Sequence, residues 1–243
     1  MTRSRSARCL LPALSLWIAG IAGPVLGGSP AEVPGGEQAF TALGNEPGWR
    51  LDIGGGRMSL NADYGATTMA LSAPAPAPIA GGRVFAGDAT GRPVRVTVLD
   101  RICHDTMTGM PRPFTVSVEF DGRRLEGCGG EPASLLRGAW AVESIDGTPV
   151  LPDGKPTVVF GDDGSVSGHA SCNGYSGAYA LTGEGLTVSR LMSTMKACPP
   201  PLMQQEDALL AILRDVMRFE RPPDGTLLLH TAGGRTIRAA RSE

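Results

Sequence analysis

Gly168-His169-Ala170-Ser171-Cys172-Asn173-Gly174-Tyr175-Ser176-Gly177-Ala178-Tyr179 and, further on, Ser193-Thr194-Met195-Lys196-Ala197-Cys198-Pro199 decide how this chain is read. Each segment gathers small residues around one cysteine. Between them Gly183-Glu184-Gly185 predicts a hairpin turn. After them Pro199-Pro200-Pro201 stops strand formation and suits a helix start. Leu202, Leu209, Leu210, Leu213 and Val216 then fall on one helical stripe, which predicts a helix over Pro201 to Arg214. Together these features read as two β-hairpin elements tied to a helix N-terminus by one cross-link.

Upstream and downstream of this core the period is that of strands. Trp140, Val142 and Ser144 share one predicted strand face, and Ala141, Glu143 and Ile145 the other. Trp140 is expected to anchor a small β core. Asp146-Gly147 and Asp162-Asp163-Gly164 are turn signals on either side of Thr157-Val158-Val159-Phe160. Beyond the helix, Met217 to Phe219, Thr226 to His230 and Thr236 to Ala240 predict three more strands, turning at Asp224-Gly225 and Gly233-Gly234.

Glu206 lies on the apolar stripe of the predicted helix. A carboxylate buried there costs several kcal/mol unless it is paired or hydrogen-bonded. Lys196, just before the helix, is one candidate partner, and backbone N–H groups near Cys172-Asn173 are another. The structural reading makes Glu206 a buried tie between helix and hairpin. The functional reading makes Asn173, Tyr175, Lys196 and Glu206 a polar cleft for a ligand or partner.

The N-terminal half alternates as well. Trp49, Leu51 and Ile53 share a face, and Gly54-Gly55-Gly56 predicts a hairpin into Arg57 to Leu60. Thr68 to Leu71, Pro93 to Leu99 and Phe114 to Phe120 are further strands, the last turning at Asp121-Gly122. Alternate prolines from Ser72 to Pro78 exclude a central strand and leave a loop or an exposed extended edge. No amphipathic helix is evident, so this half is expected to be all-β, a small antiparallel barrel or sandwich. Asn45-Glu46 and Cys103 to Asp105 read either as the walls of a groove or as turn chemistry.

Cys172-Asn173-Gly174-Tyr175-Ser176-Gly177-Ala178-Tyr179 resembles the CNxYxGxY motif of the META/HslJ-like family. Ser193 to Pro199, followed by Pro201-Leu202-Met203-Gln204-Gln205-Glu206, resembles that family's second motif, and the likeness runs from about Leu135 to Arg241. It implies an antiparallel, barrel-like sheet carrying a single helix, and a part in tolerance of heat, drugs or envelope stress. Gly44-Asn45-Glu46-Pro47-Gly48-Trp49, Cys103 to Gly109 and Gly127-Cys128-Gly129-Gly130 resemble a bacterial envelope domain with GNEPFW, CxDxMSG and GCGG motifs. Gly48 stands where that domain has an aromatic, and Thr108 where it has Ser. The fold expected is therefore mainly β: two small antiparallel barrel-like domains, the C-terminal one with a single α-helix. The divisions are 1–28 signal peptide, 29–37 disordered lead-in, 38–131 N-terminal domain and 133–241 META/HslJ-like domain.

The start of the chain sets the compartment. Arg3, Arg5 and Arg8 precede a short apolar run from Leu10 to Ile21, with small residues around Pro24 to Gly28 for cleavage. That is a secretory signal pattern, too short for a comfortable membrane span. Cys9 lies before the apolar run, so no lipid anchor is expected, and the expected location is periplasmic or secreted. Cleavage leaves roughly 215 residues, enough for one large or two small cores. Four cysteines then remain, and in an oxidising compartment they imply two disulfides. Four allow three pairings; Cys103 with Cys128 and Cys172 with Cys198 each stay inside one half. A loop of roughly 26 residues closed by the second pair is worth about 3–4 kcal/mol in the chain-entropy description.

The formal charge is −2, and without the three leader arginines it is −5, 19 basic against 24 acidic side chains. That excludes a basic footprint for nucleic acid and is compatible with a basic partner. No His-x-x-x-His or Cys-x-x-Cys spacing marks a metal site, and no cofactor is expected. The three histidines are His104, His169 and His230. His169 and Ser171 share a predicted strand face with no third orienting group, and no Gly-x-Ser-x-Gly elbow is present. A non-catalytic envelope module is the leading expectation. The alternatives are a binding protein or inhibitor for a secreted enzyme such as a lysozyme, with Gly161-Asp162-Asp163 as its exposed loop, and a hydrolase. The expected partner is an envelope protein or a small molecule.

Overall fold

The computed structural model describes residues 39–242. The signal peptide, Cys9 and the lead-in expected over 1–37 lie outside the described residues. Two antiparallel sheets account for nearly everything else, and each curls around its own core.

The first sheet is built from β1 (Phe40–Asn45), β2 (Gly48–Gly54), β3 (Arg57–Ala62), β4 (Thr67–Ser72), β5 (Ala77–Ile79), β6 (Gly82–Asp88) and β7 (Pro93–Leu99). After a small ribbon, β8 (Cys103–His104) with β9 (Pro111–Arg112), it is completed by β10 (Phe114–Phe120) and β11 (Arg123–Gly129). The order is β4-β3-β2-β1-β11-β10-β7-β6-β5. Alternation decides which side of each strand is buried. Trp49, Leu51 and Ile53 of β2 point inward, with Met58 and Leu60 of β3, Val94, Val96 and Val98 of β7, and Val116, Val118 and Phe120 of β10. Arg50 and Asp52 stay outside, paired at 2.8 Å. The proline-rich stretch divides: Ser72 ends β4, residues 73–76 carry no ladder, and Ala77 and Pro78 enter the exposed edge strand β5. At an edge the missing N–H donors cost nothing.

Glycines let Trp49 span a strand. Its indole lies across Gly44 of β1 and donates from Nε1 to the carbonyl of Glu126 on β11, at 3.1 Å. A Cβ at Gly44 would overlap Trp49 Nε1 and the Glu126 carbonyl, and one at Gly127 would overlap the Leu43 carbonyl and the same ring. Glycines here are thus packing requirements of one tryptophan. Tyr64 has φ +55° and lays its ring over Gly48, with its hydroxyl donating to the Asn45 carbonyl at 3.3 Å.

A single turn, α1 (Ala133–Leu136), follows. Its Leu136 carbonyl accepts the Trp140 Nε1–H at 2.7 Å, in the buried interior. The second sheet holds β12 (Gly138–Ile145), β13 (Thr148–Pro149), β14 (Thr157–Phe160), β15 (Ser165–His169), β16 (Gly174–Thr182) and β17 (Gly185–Ser193). The helix α2 (Pro200–Asp215) intervenes before β18 (Val216–Glu220), β19 (Leu227–Thr231) and β20 (Thr236–Arg241). The order is β17-β16-β15-β14-β12-β20-β19-β18, with β13 paired to β12. The edges β17 and β18 come back together, since a Cβ at Gly185 would overlap the Met217 carbonyl. This return gives the sheet its barrel-like form, and α2 lays Leu209, Leu210, Ile212 and Leu213 into its core.

One strand departs from strict alternation. A bulge between Val142 and Ser144, against Ala239 and Arg238 of β20, inserts Glu143 as an extra residue. Ile145 therefore returns to the buried side with Trp140 and Val142, whereas simple alternation puts it on the opposite face. Trp140 is fully buried, and the guanidinium groups of Arg221 and Arg241 each lie 4.7 Å from its ring centre. Among the described residues no helix is long and apolar enough to cross a membrane.

Two glycines test this account of packing. Gly44→Ala should destabilise by about 1–3 kcal/mol through overpacking against Trp49. Gly174→Ala should stay within about 0.5 kcal/mol, because the nearest atom to a Cβ there is 3.8 Å away. Urea denaturation of the two variants beside the wild type checks both, and equal losses would refute the tryptophan packing argument.

Candidate functional site

The connection from β15 to β16, Ala170-Ser171-Cys172-Asn173, is the centre of the second half. Ser171 has φ +126°, a backbone conformation that non-glycine residues rarely adopt. Beyond it, two successive N–H groups converge on Glu206 of α2. Cys172 N–H donates to Oε2 at 3.1 Å and Asn173 N–H to the same oxygen at 2.7 Å. Asn173 Nδ2 supplies Oε1 at 2.8 Å. Glu206 is 4% exposed and Asn173 1%. A carboxylate taken from water to that depth is tolerable only when such donors replace its hydration.

Asn173 also faces the other way. Its Oδ1 accepts from Thr194 Oγ1 at 2.8 Å and from the Lys196 backbone N–H at 2.7 Å, and its Nδ2 also reaches the Lys196 carbonyl at 3.3 Å. One side chain thus joins the loop, the helix and the strap of residues 194–199. The Cys172–Cys198 disulfide runs between the same segments. The partner of Glu206 is therefore the backbone beside Asn173 together with the asparagine amide. Lys196 enters through its main chain only, and its residue lies exposed. Tyr175 is buried on β16, donates its hydroxyl to the Thr157 carbonyl at 2.9 Å, and has its pKa raised by burial. Gly168 is required beside it, because a Cβ there would overlap the Thr157 carbonyl and crowd the phenol oxygen.

Of the four residues expected to line a polar cleft, Asn173, Glu206 and the Lys196 backbone meet in one hydrogen-bonded knot, while Tyr175 bonds Thr157 instead. Gln205 extends the knot: Nε2 donates to Ser171 Oγ at 2.7 Å and Oε1 accepts the Leu151 N–H at 2.7 Å. Gln205, Thr194 and Thr157 escape sequence reasoning, since polar residues beside a stripe or in a strap look like ordinary surface. His169 and Ser171 do not form a pair: Ser171 is buried against Gln205 while His169 is exposed. His104 is exposed too, and His230 Nε2 lies 3.3 Å from Glu220 Oε1. Among the described residues no group of three or more His, Cys, Asp or Glu is placed to hold a metal ion.

The first half contains a more open feature. Asn45, Glu46, His104, Asp105, Met107 and Glu126 line a groove of about 470 Å³ beside the Cys103–Cys128 disulfide. Asp105 organises its wall. Oδ1 accepts from Met107 N–H at 3.0 Å, Thr108 N–H at 2.8 Å and Thr108 Oγ1 at 2.9 Å, and Oδ2 accepts from Asn45 Nδ2 at 3.3 Å. Burial pushes the Asp105 pKa up, but the hydrogen bonds from Thr108, Asn45 and Met107 outweigh it and hold the group below its ordinary value. Asn45 and Asp105 therefore shape turns and line a groove at once. A second hollow of about 440 Å³ shares Leu43, Asn45, Asp105 and Met107 and runs on past Arg112 and Glu131 to Thr182-Gly183.

The knot and the groove make separate predictions. Glu206→Gln puts an amide donor where Asn173 Nδ2 or the backbone N–H groups already donate, and should cost about 3 kcal/mol. Lys196→Ala should cost less than about 0.5 kcal/mol; urea denaturation compares them. For Asp105 the folded pKa is depressed, so its contribution is complete above the unfolded value of about 3.9 and is lost as pH falls through the folded value. The stability gap between wild type and Asp105→Asn should accordingly be constant near neutrality and shrink below about pH 4. A gap that widens on acidification would contradict the hydrogen-bond assignment.

No curated protein matches the chain. Three solved structures are similar to part of it. An NMR structure of a protein from Burkholderia xenovorans is 28% identical, covers 46% of this chain and 88% of its own, and has a TM-score of 0.38. A second NMR structure is 26% identical over 45% of this chain and 94% of its own, also at 0.38. A crystal structure of a duf4847 family protein from Bacteroides vulgatus is 15% identical, covers 46% of this chain and 98% of its own, and scores 0.37. The part of the chain that contains the Glu206 knot, residues 133–243, matches the META domain family.

Proposed function

We propose that this protein is a non-catalytic, disulfide-stapled module of the cell envelope, periplasmic or secreted, which acts by binding and supports tolerance of heat, drugs or other envelope stress. In this reading residues 1–28 are a cleaved signal, 29–37 a linker, and 38–131 and 133–241 two domains. The observation that carries it is the saturation of the knot. A hydrolytic centre needs a nucleophile or base with a free valence facing a substrate. Asn173 and Glu206 instead spend their polar atoms on one another, on backbone groups and on Thr194. Two disulfides, one in each half, fit an oxidising compartment.

An inhibitor of a secreted enzyme is the second reading, and the turn at Gly161-Asp162-Asp163 is what favours it. The Asp162 side chain is 87% exposed, although it pairs with Arg137 at 3.0 Å. Inhibition of a lysozyme by the purified protein, lost in Asp162→Ala, would establish that reading over the first.

Deleting the gene in its native host should lower survival after heat or envelope-drug challenge, and the wild-type gene should restore it. Unchanged survival under both challenges would sink the stress role. Protein recovered from the periplasm should lack the signal and weigh four hydrogens less than its reduced form. Cys172→Ser with Cys198→Ser should lower stability by about 3 kcal/mol, read by non-reducing denaturation.

A further inference from the structure

We infer that the hollow between the Asp105 loop and the ends of β1 and β11 is the docking site for an extended, lysine- or arginine-bearing segment of a protein partner. This deepens the binding-module reading and rests on it.

The two hollows share four residues, so they form one elongated trough with His104 and Cys128 at one end and Thr182-Gly183 at the other. Each is within the size range of ordinary ligand sites, about 300–1,000 Å³. Their shared wall makes an occupant that crosses both halves of the protein more fitting than a compact molecule seated in one. Charge selects the chemistry. Glu46, Asp105, Glu126 and Glu131 line the trough with one guanidinium, Arg112; Glu126 is paired with Arg124 at 3.0 Å, so Glu46, Asp105 and Glu131 carry the negative character. Glu46 and Glu131 are exposed, and Asp105 is held ionised by its hydrogen bonds. A trough walled in this way attracts cationic side chains and repels acidic ones.

Exposed groups on and beside the wall suit a basic peptide. Met107, 79% exposed, stands on the wall, and Tyr64, 84% exposed, sits next to Asn45 with its hydroxyl on the Asn45 carbonyl. A thioether and an aromatic face offer contact to the aliphatic stems and charged heads of lysine or arginine. Glu32 and Glu37 make the chain's own lead-in acidic, so it is unsuited to the trough.

The test uses the mature protein with methyl-labelled methionine. The probes are octapeptides alternating Lys with Ser and Glu with Ser, together with spermidine. The lysine peptide should shift the Met107 and Met110 methyl signals and bind more weakly as salt rises. In the variant carrying Glu46→Lys and Glu131→Lys its affinity should fall about tenfold or more. Both are exposed positions, so the variant should keep the wild-type melting temperature. Equal binding of the glutamate peptide, or affinity unchanged by the two substitutions, would overturn the assignment. Spermidine binding as tightly as the peptide would make the trough a polyamine site and likewise overturn it. Shifts confined to Met192 and Met195 would leave a binding module whose site lies elsewhere. Cleavage of the peptide would remove the non-catalytic reading and the proposal with it.

Discussion

Everything in the second half of this protein must accommodate one buried carboxylate. Glu206 sits on the inward side of α2, where an ionised group without donors would cost several kcal/mol. Three N–H groups, all from the Cys172-Asn173 dipeptide, replace its water. That arrangement needs the left-handed Ser171, because the loop must present two successive N–H groups on one side. It also needs the strap, because Asn173 is held in place by Thr194 and Lys196. The disulfide then ties loop and strap covalently. Hydrogen bonds join the helix, the loop and the strap, and the covalent bond repeats the tie between the last two.

The first half uses the same chemistry for a looser result. Asp105 is also a carboxylate beside a disulfide, and it also gathers backbone N–H groups. Its donors, however, come mostly from its own loop, within a few residues. A short-range Asp turn organises the wall of a hollow without filling it, whereas the long-range Glu206 contacts draw a helix onto a sheet and close the space. The difference in sequence separation between donor and acceptor is why one carboxylate makes a core and the other borders a trough. Trp49 supports that border from below, since its ring passes over Gly44 to the Glu126 carbonyl.

Much of the fold was legible because alternation is local. Leu51 and Val96 declare a buried face through their immediate neighbours, and Asp121-Gly122 or Asp146-Gly147 declare a turn through φ values that glycine and aspartate tolerate. Helix α2 was legible through its apolar spacing and its prolines, to within one residue at each end. Ile145 was not: the bulge that turns it inward depends on the register of β20, far away in sequence. Of the two candidate partners of Glu206, Lys196 is exposed and reaches only Asn173, through its backbone N–H. The other candidate, the backbone N–H groups near Cys172-Asn173, is the one that meets the carboxylate.

By itself the sequence determined the elements and their chemistry: which strands alternate, where the chain turns, that each half holds two cysteines, and that a carboxylate lies on an apolar helical stripe. These are properties of neighbours a few positions apart, and sterics and burial act on them directly. Only the tertiary structure decided what those groups meet. It knotted Asn173 to Glu206 and set Tyr175 against Thr157, and it joined Asn45, Asp105 and Glu131 along one trough. Such meetings depend on register, bulges and the return of a sheet's two edges, and these are set by packing between segments far apart in the chain.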